Sequence, residues 1–160
     1  MYTKLALTIL MFAALLGANQ TKADMTYDLT PQSNQKFLTD NAQKPGVVTT
    51  ASGLQYKVLT TGHGKQVRNS ADTVTVTYKG WTIDGHVFDQ TAPGQTASFP
   101  AGGLIKGWVE ALKLMHEGDA WQLVIPAKLA YGEKGAGADI GPNQTLVFDM
   151  TLVSVAHSGR

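Results

Sequence analysis

Histidine and serine side chains are the first candidates for chemistry in this sequence, because they serve as metal ligands, bases and nucleophiles. The four histidines, His63, His86, His116 and His157, lie far apart in the chain. None has a second histidine four residues away or a carboxylate at a metal-ligand spacing. We therefore interpret them as solvent-exposed polar residues. No serine occurs in a GxSxG nucleophile motif.

Two glycine-rich stretches fail as phosphate-binding loops. Residues 62–65 (GHGK) lack the earlier glycine and the hydroxyl residue of GxxxxGK(S/T). Residues 135–141 have the wrong spacing for GxGxxG and lead into Pro142. The chain also contains no cysteine, which excludes disulfides, thiolate zinc sites and cysteine nucleophiles. We therefore expect neither a metal nor a cofactor.

Aromatic residues beside predicted bends offer a different chemistry. Six of them lie on or next to a predicted strand end, helix start or loop: Tyr78, Phe88, Phe99, Trp108, Tyr131 and Phe148. A sheet with one helix across it would bring several of these rings together as the walls of an apolar pocket. Periodicity does not distinguish such a pocket from an ordinary hydrophobic core.

The elements that would position these rings follow from hydrophobic patterning. Residues 73–79 (TVTVTYK) alternate between apolar side chains and threonine, which predicts a strand. Asp84-Gly85 predicts a two-residue hairpin turn leading into the next strand. A helix that stops at Gly118 is predicted by the spacing of five apolar residues: Ile105, Trp108, Val109, Leu112 and Met115.

Further alternating segments complete the predicted domain. Residues 47–59, 121–125 and 146–152 predict strands, and residues 132–142 a long loop or flap. The result is an α+β domain from about residue 46 to the end, with an antiparallel sheet crossed by one short helix. Residues 24–45 predict a polar arm or short helix over 33–43.

The first 23 residues predict a secretory signal peptide. The apolar run 5–16 (LALTILMFAALL) follows Lys4 and is too short for a bilayer core of about 30 Å. Cleavage is expected after Ala23, with Ala18 as the alternative. An uncleaved membrane anchor or an amphipathic surface helix are the competing interpretations. Export predicts a periplasmic or otherwise extracytoplasmic location, without stable membrane insertion after cleavage.

Charge argues against nucleic acid as a partner. The chain has 13 basic and 12 acidic residues. Loss of Lys4 and Lys22 with the signal peptide would leave a net charge of −1. Such a protein has no electrostatic attraction to polyanions.

Four segments, taken in order, carry a resemblance to a known family. They are residues 74–91 (VTVTYKGWTIDGHVFDQT), 99–119 (FPAGGLIKGWVEALKLMHEGD), 125–132 (IPAKLAYG) and 145–153 (TLVFDMTLV). Over about 110 residues from Gly46, the chain resembles the FKBP-type peptidyl-prolyl cis-trans isomerases, most of all the bacterial exported members. The resemblance implies an FKBP-like half-wrapped antiparallel β-sheet with one short α-helix packed across it.

The resemblance also implies a site. Trp108 would form the pocket floor, and Asp89 and Tyr131 would supply polar contacts. The Ile105 N–H and the Tyr131 hydroxyl would bind ligand carbonyls. The walls and rim would comprise Tyr78, Phe88, Phe99, Leu104, Ile105, Ile140 and Phe148. Expected ligands are proline-containing polypeptides, with macrolide immunosuppressants as inhibitors.

Such a site would isomerise Xaa-Pro bonds in exported proteins. Rotation about the C–N bond breaks no covalent bond, so it requires no nucleophile or metal. The alternative is a folding chaperone or proline-peptide binding module without significant isomerase activity. Ala97, Ala136 and Asp139 depart from common family residues at the rim, so we expect altered macrolide affinity and altered preference for the residue before proline.

The oligomeric state follows from the length of the arm. Exported members often carry a long helical dimerisation region before the domain. Residues 24–45 are too few for such a region. We therefore expect a monomer, with a weak dimer through this arm as the alternative.

Overall fold

The computed structural model describes residues 26–159, so the signal peptide expected over residues 1–23 lies outside the described residues. The helices are α1 (Pro31–Ala42) and α2 (Lys106–Leu114), with short 3-10 turns at Ala127–Leu129 and Gly132–Lys134. The strands are β1 (Val47–Thr49), β2 (Gln55–Thr60), β3 (Thr73–Thr82), β4 (Val87–Gln90), β5 (Ala97–Pro100), β6 (Ala120–Ile125) and β7 (Leu146–Ala156). None of the helices in this part of the chain is long and apolar enough to cross a membrane.

The seven strands form one antiparallel sheet in the order β1-β2-β6-β7-β3-β4. The first half of β3 pairs with β5, and its second half pairs with β4. The opposite edge of β3 pairs with β7 along its whole length. The predicted α+β class and antiparallel sheet are therefore confirmed. Strand β5 was not predicted, because its four residues are enclosed by a loop sequence rich in proline and glycine.

Helix α2 packs its apolar stripe on the sheet. Trp108, Ala111 and Leu112 are buried, whereas Lys106 and Lys113 are exposed. The helix ends at Leu114, so the prediction that it continues to Gly118 is wrong. Met115 already has an extended backbone (φ −80°, ψ 152°), because its side chain turns into the core and is fully buried.

The turn between β3 and β4 is longer than predicted. The Thr82 N–H donates to His86 O at 3.0 Å, and the Gly85 N–H donates to Thr82 O at 2.9 Å. Gly85 has φ +88°, but Asp84 does not have a positive φ. The connection is therefore a three-residue loop with glycine in the left-handed position, not the two-residue Asp84-Gly85 turn.

Helix α1 confirms the short helix predicted for the arm, although it begins two residues earlier. Thr30 caps it by accepting a 3.2 Å hydrogen bond from the Ser33 N–H, and Pro31 takes the first helical position. The buried residues of α1 are asparagines rather than its apolar residues. Asn34 accepts from the Thr145 N–H at 2.8 Å, and Asn41 donates to the Gln55 side chain at 2.7 Å.

The histidines are not all solvent-exposed. His157 has a side chain only 23% exposed, and its Nδ1 lies 3.1 Å from Oδ2 of the fully buried Asp72. The expectation of a solvated residue is wrong there, because the C-terminal segment folds back onto the loop before β3. His86 is exposed and lies 3.0 Å from Asp139. In residues 26–159 no three His, Asp or Glu side chains converge as a metal site.

Candidate active site

A cavity of about 310 Å³ lies between the start of α2 and the inner face of the sheet. It is lined by Tyr78, Phe88, Asp89, Phe99, Gly103, Leu104, Ile105, Trp108, Tyr131 and Phe148. The structure therefore brings together nine of the ten residues predicted for the site. These residues come from β3, β4, β5, α2, β7 and the loops beside them, so the pocket exists only when the whole sheet is assembled.

Trp108 forms the floor of this pocket. Its side chain is 5% exposed, and three rings meet it edge-on. The centroid distances are 5.0 Å to Tyr78, 5.2 Å to Phe148 and 6.1 Å to Phe99, with interplanar angles of 80–81°. Edge-to-face contacts are favourable because the positive ring edge meets the negative face. The indole is thus held rigidly as a flat apolar surface.

The wall formed by Phe88 and Phe148 depends on a glycine. The two rings contact each other edge-to-face, with centroids 5.6 Å apart. A Cβ on Gly80 would lie 2.5 Å from the Phe148 ring and 2.8 Å from the Phe88 ring. Gly80 therefore leaves the space that both rings occupy. Sequence reasoning missed this residue, although a glycine inside a strand signals close approach by a neighbouring group.

Tyr78 and Asp89 form the polar edge of the pocket. Neighbouring strands β3 and β4 place them side by side, and the Tyr78 hydroxyl donates to Asp89 Oδ2 at 2.6 Å. Burial and, to a lesser degree, this hydrogen bond raise the pKa of Tyr78 far above its ordinary value. Tyr78 therefore stays protonated, and its hydroxyl orients the carboxylate.

Two further hydrogen-bond donors line the pocket. The Ile105 N–H precedes the first turn of α2 and has no acceptor among the described residues. Tyr131 is 41% exposed, and its hydroxyl has no partner within residues 26–159. Both groups line the cavity, so both are available to a ligand carbonyl.

Ile140 is the predicted site residue that the structure does not bring into the cavity. It is 6% exposed and belongs to the hydrophobic core. Its backbone exchanges hydrogen bonds with Ala136 at 2.8 and 3.2 Å, which closes the loop after Tyr131. Ile140 therefore supports this loop from inside.

The lining limits the chemistry that the pocket can perform. Its ionisable side chains are Tyr78, Asp89 and Tyr131, and the chain contains no cysteine. An apolar floor with polar groups at the rim suits a small apolar ring flanked by peptide carbonyls.

Family models match most of the chain. The model described as "FKBP-type peptidyl-prolyl cis-trans isomerase" matches residues 64–153. A second model, "Domain amino terminal to FKBP-type peptidyl-prolyl isomerase", matches residues 8–58. The second match includes part of the predicted signal peptide, all of α1, and β1.

Individual relatives agree with these models. The chain is 50% identical over 125 residues to the peptidyl-prolyl cis-trans isomerase Mip of Coxiella burnetii, covering 78% of this chain and 54% of that protein. It is also 50% identical over 120 residues to the outer membrane protein MIP of Legionella longbeachae, covering 74% and 51%. The chain thus spans between half and three-fifths of the length of the first curated relatives that it matches.

A solved structure with the same fold is the peptidyl-prolyl cis-trans isomerase of Pseudomonas syringae pv. tomato. Its TM-score is 0.73 at 37% identity, covering 79% of this chain and 92% of that one. The order of the motifs, the aromatic pocket and these matches lead to one conclusion. The chain belongs to the FKBP-type peptidyl-prolyl cis-trans isomerase family.

Proposed function

We propose that this protein accelerates the cis-trans isomerisation of Xaa-Pro peptide bonds. The observation that carries the proposal is the aromatic pocket, in which the rigid Trp108 floor lies beneath a rim of hydrogen-bonding groups. A prolyl ring fits the floor, and the peptide groups on either side of it reach the rim. Family membership supports the same activity.

The pocket favours the twisted amide over the planar amide. Amide resonance sets a rotation barrier of about 18–20 kcal/mol and makes the planar form the more polar one. A dry aromatic cavity withdraws the water that stabilises this planar form. Because only interactions stronger in the transition state accelerate a reaction, the cavity lowers the barrier without covalent chemistry.

The polar rim would hold the substrate during this rotation. The Ile105 N–H and the Tyr131 hydroxyl would bind carbonyls of the peptide. Asp89, oriented by Tyr78 at 2.6 Å, would face the carbonyl of the rotating bond. These roles for Tyr78, Phe88, Asp89, Trp108, Tyr131 and Phe148, and substrate contacts for Phe99, Leu104 and Ile105, are part of the proposal.

The proposed substrates are proline-containing segments of exported polypeptides. An extracytoplasmic location is supported by the predicted signal peptide and by a relative that is named an outer membrane protein. Fractionation of cells that express the full chain tests this location. A full-length product in the cytoplasm would contradict it.

Macrolide immunosuppressants are proposed as inhibitors with altered affinity. In the 132–142 loop, Asp139 lies 3.0 Å from His86, and Ala136 is half-buried against the hydrophobic core. Inhibition constants equal to those of a typical family member would contradict the altered affinity.

An NMR exchange measurement on a short Xaa-Pro peptide tests the activity. We expect acceleration by the wild-type protein and large losses with Phe88→Ala, Asp89→Ala and Trp108→Ala. Asp149→Ala is the matched control, because Asp149 is an exposed carboxylate on the outer side of the same sheet. Circular dichroism verifies that each variant is folded.

Two outcomes would overturn parts of this proposal. Unchanged rates in all three site variants would show that the site lies elsewhere. No acceleration at all, together with suppressed aggregation of unfolded proteins, would favour a folding chaperone or proline-peptide binding module. Sedimentation of the mature protein tests the expected monomer.

A further inference from the structure

A second, larger cavity lies along the solvent-facing side of α2. It is an open groove of about 670 Å³. Its lining includes Thr50, Leu104, Lys106, Val109, Lys113 and Leu114. We refer to this cavity as the α2 groove. Leu104 lines both the α2 groove and the aromatic pocket, so the two cavities meet at this side chain.

One wall of the α2 groove is held in place by a hydrogen bond. Ser52, in the turn between β1 and β2, donates to Glu110 Oε2 of α2 at 2.5 Å. Thr50 is tied to the same turn through a 2.9 Å hydrogen bond with Ser52. The turn and the helix are thereby held together, and Glu110 is engaged within the protein.

The other charges of the groove are positive and unpaired. Lys106 and Lys113 are exposed, and neither forms an ion pair with any of residues 26–159. Glu110 is four residues from Lys106 and three from Lys113, but its carboxylate bonds to Ser52 instead. The groove is therefore lined by two lysines and one carboxylate, that of Glu110, so that its net charge is positive.

Apolar surface continues to the far end of the groove. Leu114 is 44% exposed, and it also borders a second depression that contains Val58, which is 42% exposed. The nine-residue helix is about 13 Å long at ~1.5 Å per residue. About four extended peptide residues, at ~3.3 Å each, would cover this distance.

We propose that the α2 groove holds the segment of an unfolded polypeptide substrate that flanks the proline, and that it prefers acidic and apolar side chains. A chain whose prolyl ring lies on Trp108 passes over Leu104 and follows α2. Its acidic side chains meet Lys106 and Lys113, and an apolar side chain covers Leu114. This proposal rests on the isomerase activity proposed above and specifies its substrate class.

The test compares peptides that share one Xaa-Pro bond. A four-residue peptide reaches only the aromatic pocket. Eight-residue peptides add a leucine and two glutamates, about four residues from the proline, on its N-terminal or C-terminal side. Their counterparts carry two lysines instead of the glutamates. Exchange is measured by NMR at low salt, because ion pairs at exposed sites are screened by salt.

We expect kcat/KM to be about threefold to tenfold higher for an acidic extended peptide than for its lysine counterpart. Lys113→Glu removes or reverses this difference and leaves the rate of the four-residue peptide unchanged. Lys57→Glu is the matched control, because Lys57 is an exposed lysine on β2 outside the groove. It should retain the preference.

Equal kcat/KM values for acidic and basic extended peptides would overturn the groove proposal while leaving the isomerase proposal intact. A concentration-dependent dimer that Leu114→Ala dissociates would assign the groove to a second copy, and would also overturn it. Absence of acceleration with every peptide would instead refute the isomerase proposal. Fluorescence anisotropy of the labelled extended peptides then decides about the groove: tighter binding of the acidic peptide supports it, and equal binding overturns it.

Discussion

The molecule contains the same chemical pair in two regions. In the N-terminal arm, the Tyr27 hydroxyl donates to Asp40 Oδ2 at 2.7 Å. In the aromatic pocket, the Tyr78 hydroxyl donates to Asp89 Oδ2 at 2.6 Å. The arm pair is completed by Lys36, whose Nζ lies 2.7 Å from the same Asp40 oxygen. Asp89 has no such cation among residues 26–159.

The surroundings decide what each pair can do. The ion pair with Lys36 and the hydrogen bond from Tyr27 lower the pKa of Asp40. The Asp40 carboxylate therefore interacts with partners inside the arm. The carboxylate of Asp89 lines an open cavity, and no lysine or arginine among residues 26–159 forms an ion pair with it. The Tyr27–Asp40 pair, whose carboxylate also binds a lysine, holds two segments of the arm together. The Tyr78–Asp89 pair has a carboxylate without such a cation, so this carboxylate is available to a ligand.

The same contrast extends to the groups around each pair. The arm is attached by buried amides that are all hydrogen-bonded, including Asn34, Asn41 and Gln55. At the pocket, buried Trp108 Nε1 has no partner in the part of the chain that the structure describes, and neither has the Ile105 N–H. We therefore expect substitutions at the arm junction to affect mainly stability and substitutions at the pocket to affect mainly activity.

The largest expected effect is on the arm junction. Asn34 donates to Thr30 O at 3.0 Å and to the Gln144 side chain at 3.2 Å, and accepts from the Thr145 N–H. Asn34→Ala leaves buried partners unsatisfied and should lower the free energy of unfolding by about 3 kcal/mol. Urea unfolding measures this loss.

Isomerase activity of the folded Asn34→Ala protein should equal that of the wild type. Gln32→Ala is the control, since Gln32 is an exposed amide on the same helix. A folded Asn34→Ala protein with reduced activity would show that the arm contributes to the pocket as well.

A smaller effect is expected at the back of the pocket wall. Gly80→Ala places a methyl group where the Phe148 and Phe88 rings now lie. Overpacking of this kind should cost about 2 kcal/mol of stability. Because both rings line the pocket, kcat/KM should fall too.

Gly141→Ala provides the comparison for Gly80→Ala. A Cβ on Gly141 would meet no atom within 4 Å, and its φ is not positive. We expect no change in either measurement. Full activity of Gly80→Ala would show that the positions of the two rings are not critical for catalysis.

Removal of each tyrosine hydroxyl compares the two pairs directly. Tyr78→Phe releases Asp89 from its orienting hydrogen bond and should reduce kcat/KM by about fivefold, equivalent to roughly 1 kcal/mol. Tyr27→Phe deletes the same atom in the arm and should leave kcat/KM unchanged. Equal activities of the two variants would remove Tyr78 from the proposed mechanism.

The smallest effect is expected in alkaline solution. The hydrogen bond to Asp40, followed by burial, raises the pKa of Tyr27 to about 12. The protonated form is favoured in the folded state, so this stabilisation is complete below pH ~10, the pKa of an unfolded tyrosine. It is lost as the pH rises towards 12.

Urea midpoints at pH 9 and pH 11 test this expectation. The wild type should lose more stability between these values than Tyr27→Phe. Identical losses would mean that the Tyr27 hydrogen bond does not persist in solution.

Local pattern predicted much of the architecture. The alternation of residues 73–79 and the helical spacing from Ile105 to Met115 correspond to β3 and α2, because side-chain periodicity reflects which face is buried. Element ends were less accurate. Helix α2 stops early because Met115 turns into the core, and the turn near Gly85 has an extra residue. Neither feature has a periodic signal.

The burial of the amides had no local signal. Asn34 and Gln144 are 110 residues apart, and each resembles a surface residue in its own segment. Asparagine is buried only when partners satisfy its amide, and those partners come from distant parts of the chain. The polar sequence therefore predicted that an arm is present, but it did not predict the buried hydrogen bonds that attach this arm to the domain.

The order and spacing of the motifs in the sequence identified the family. The same motifs selected the pocket residues, because an apolar cavity requires aromatic or apolar side chains and these are visible in the sequence. Their distances depend on the pairing of β3 with β4, β5 and β7. The pairing of β3 with β5 and β7 joins distant parts of the chain, and together with the packing of α2 on the sheet it brings three rings edge-on to Trp108. Only the tertiary structure decided that Ile140 is buried in the core whereas Tyr131, in the same part of the chain, remains exposed, because the hydrogen bonds between Ala136 and Ile140 fold the loop after Tyr131 back on itself.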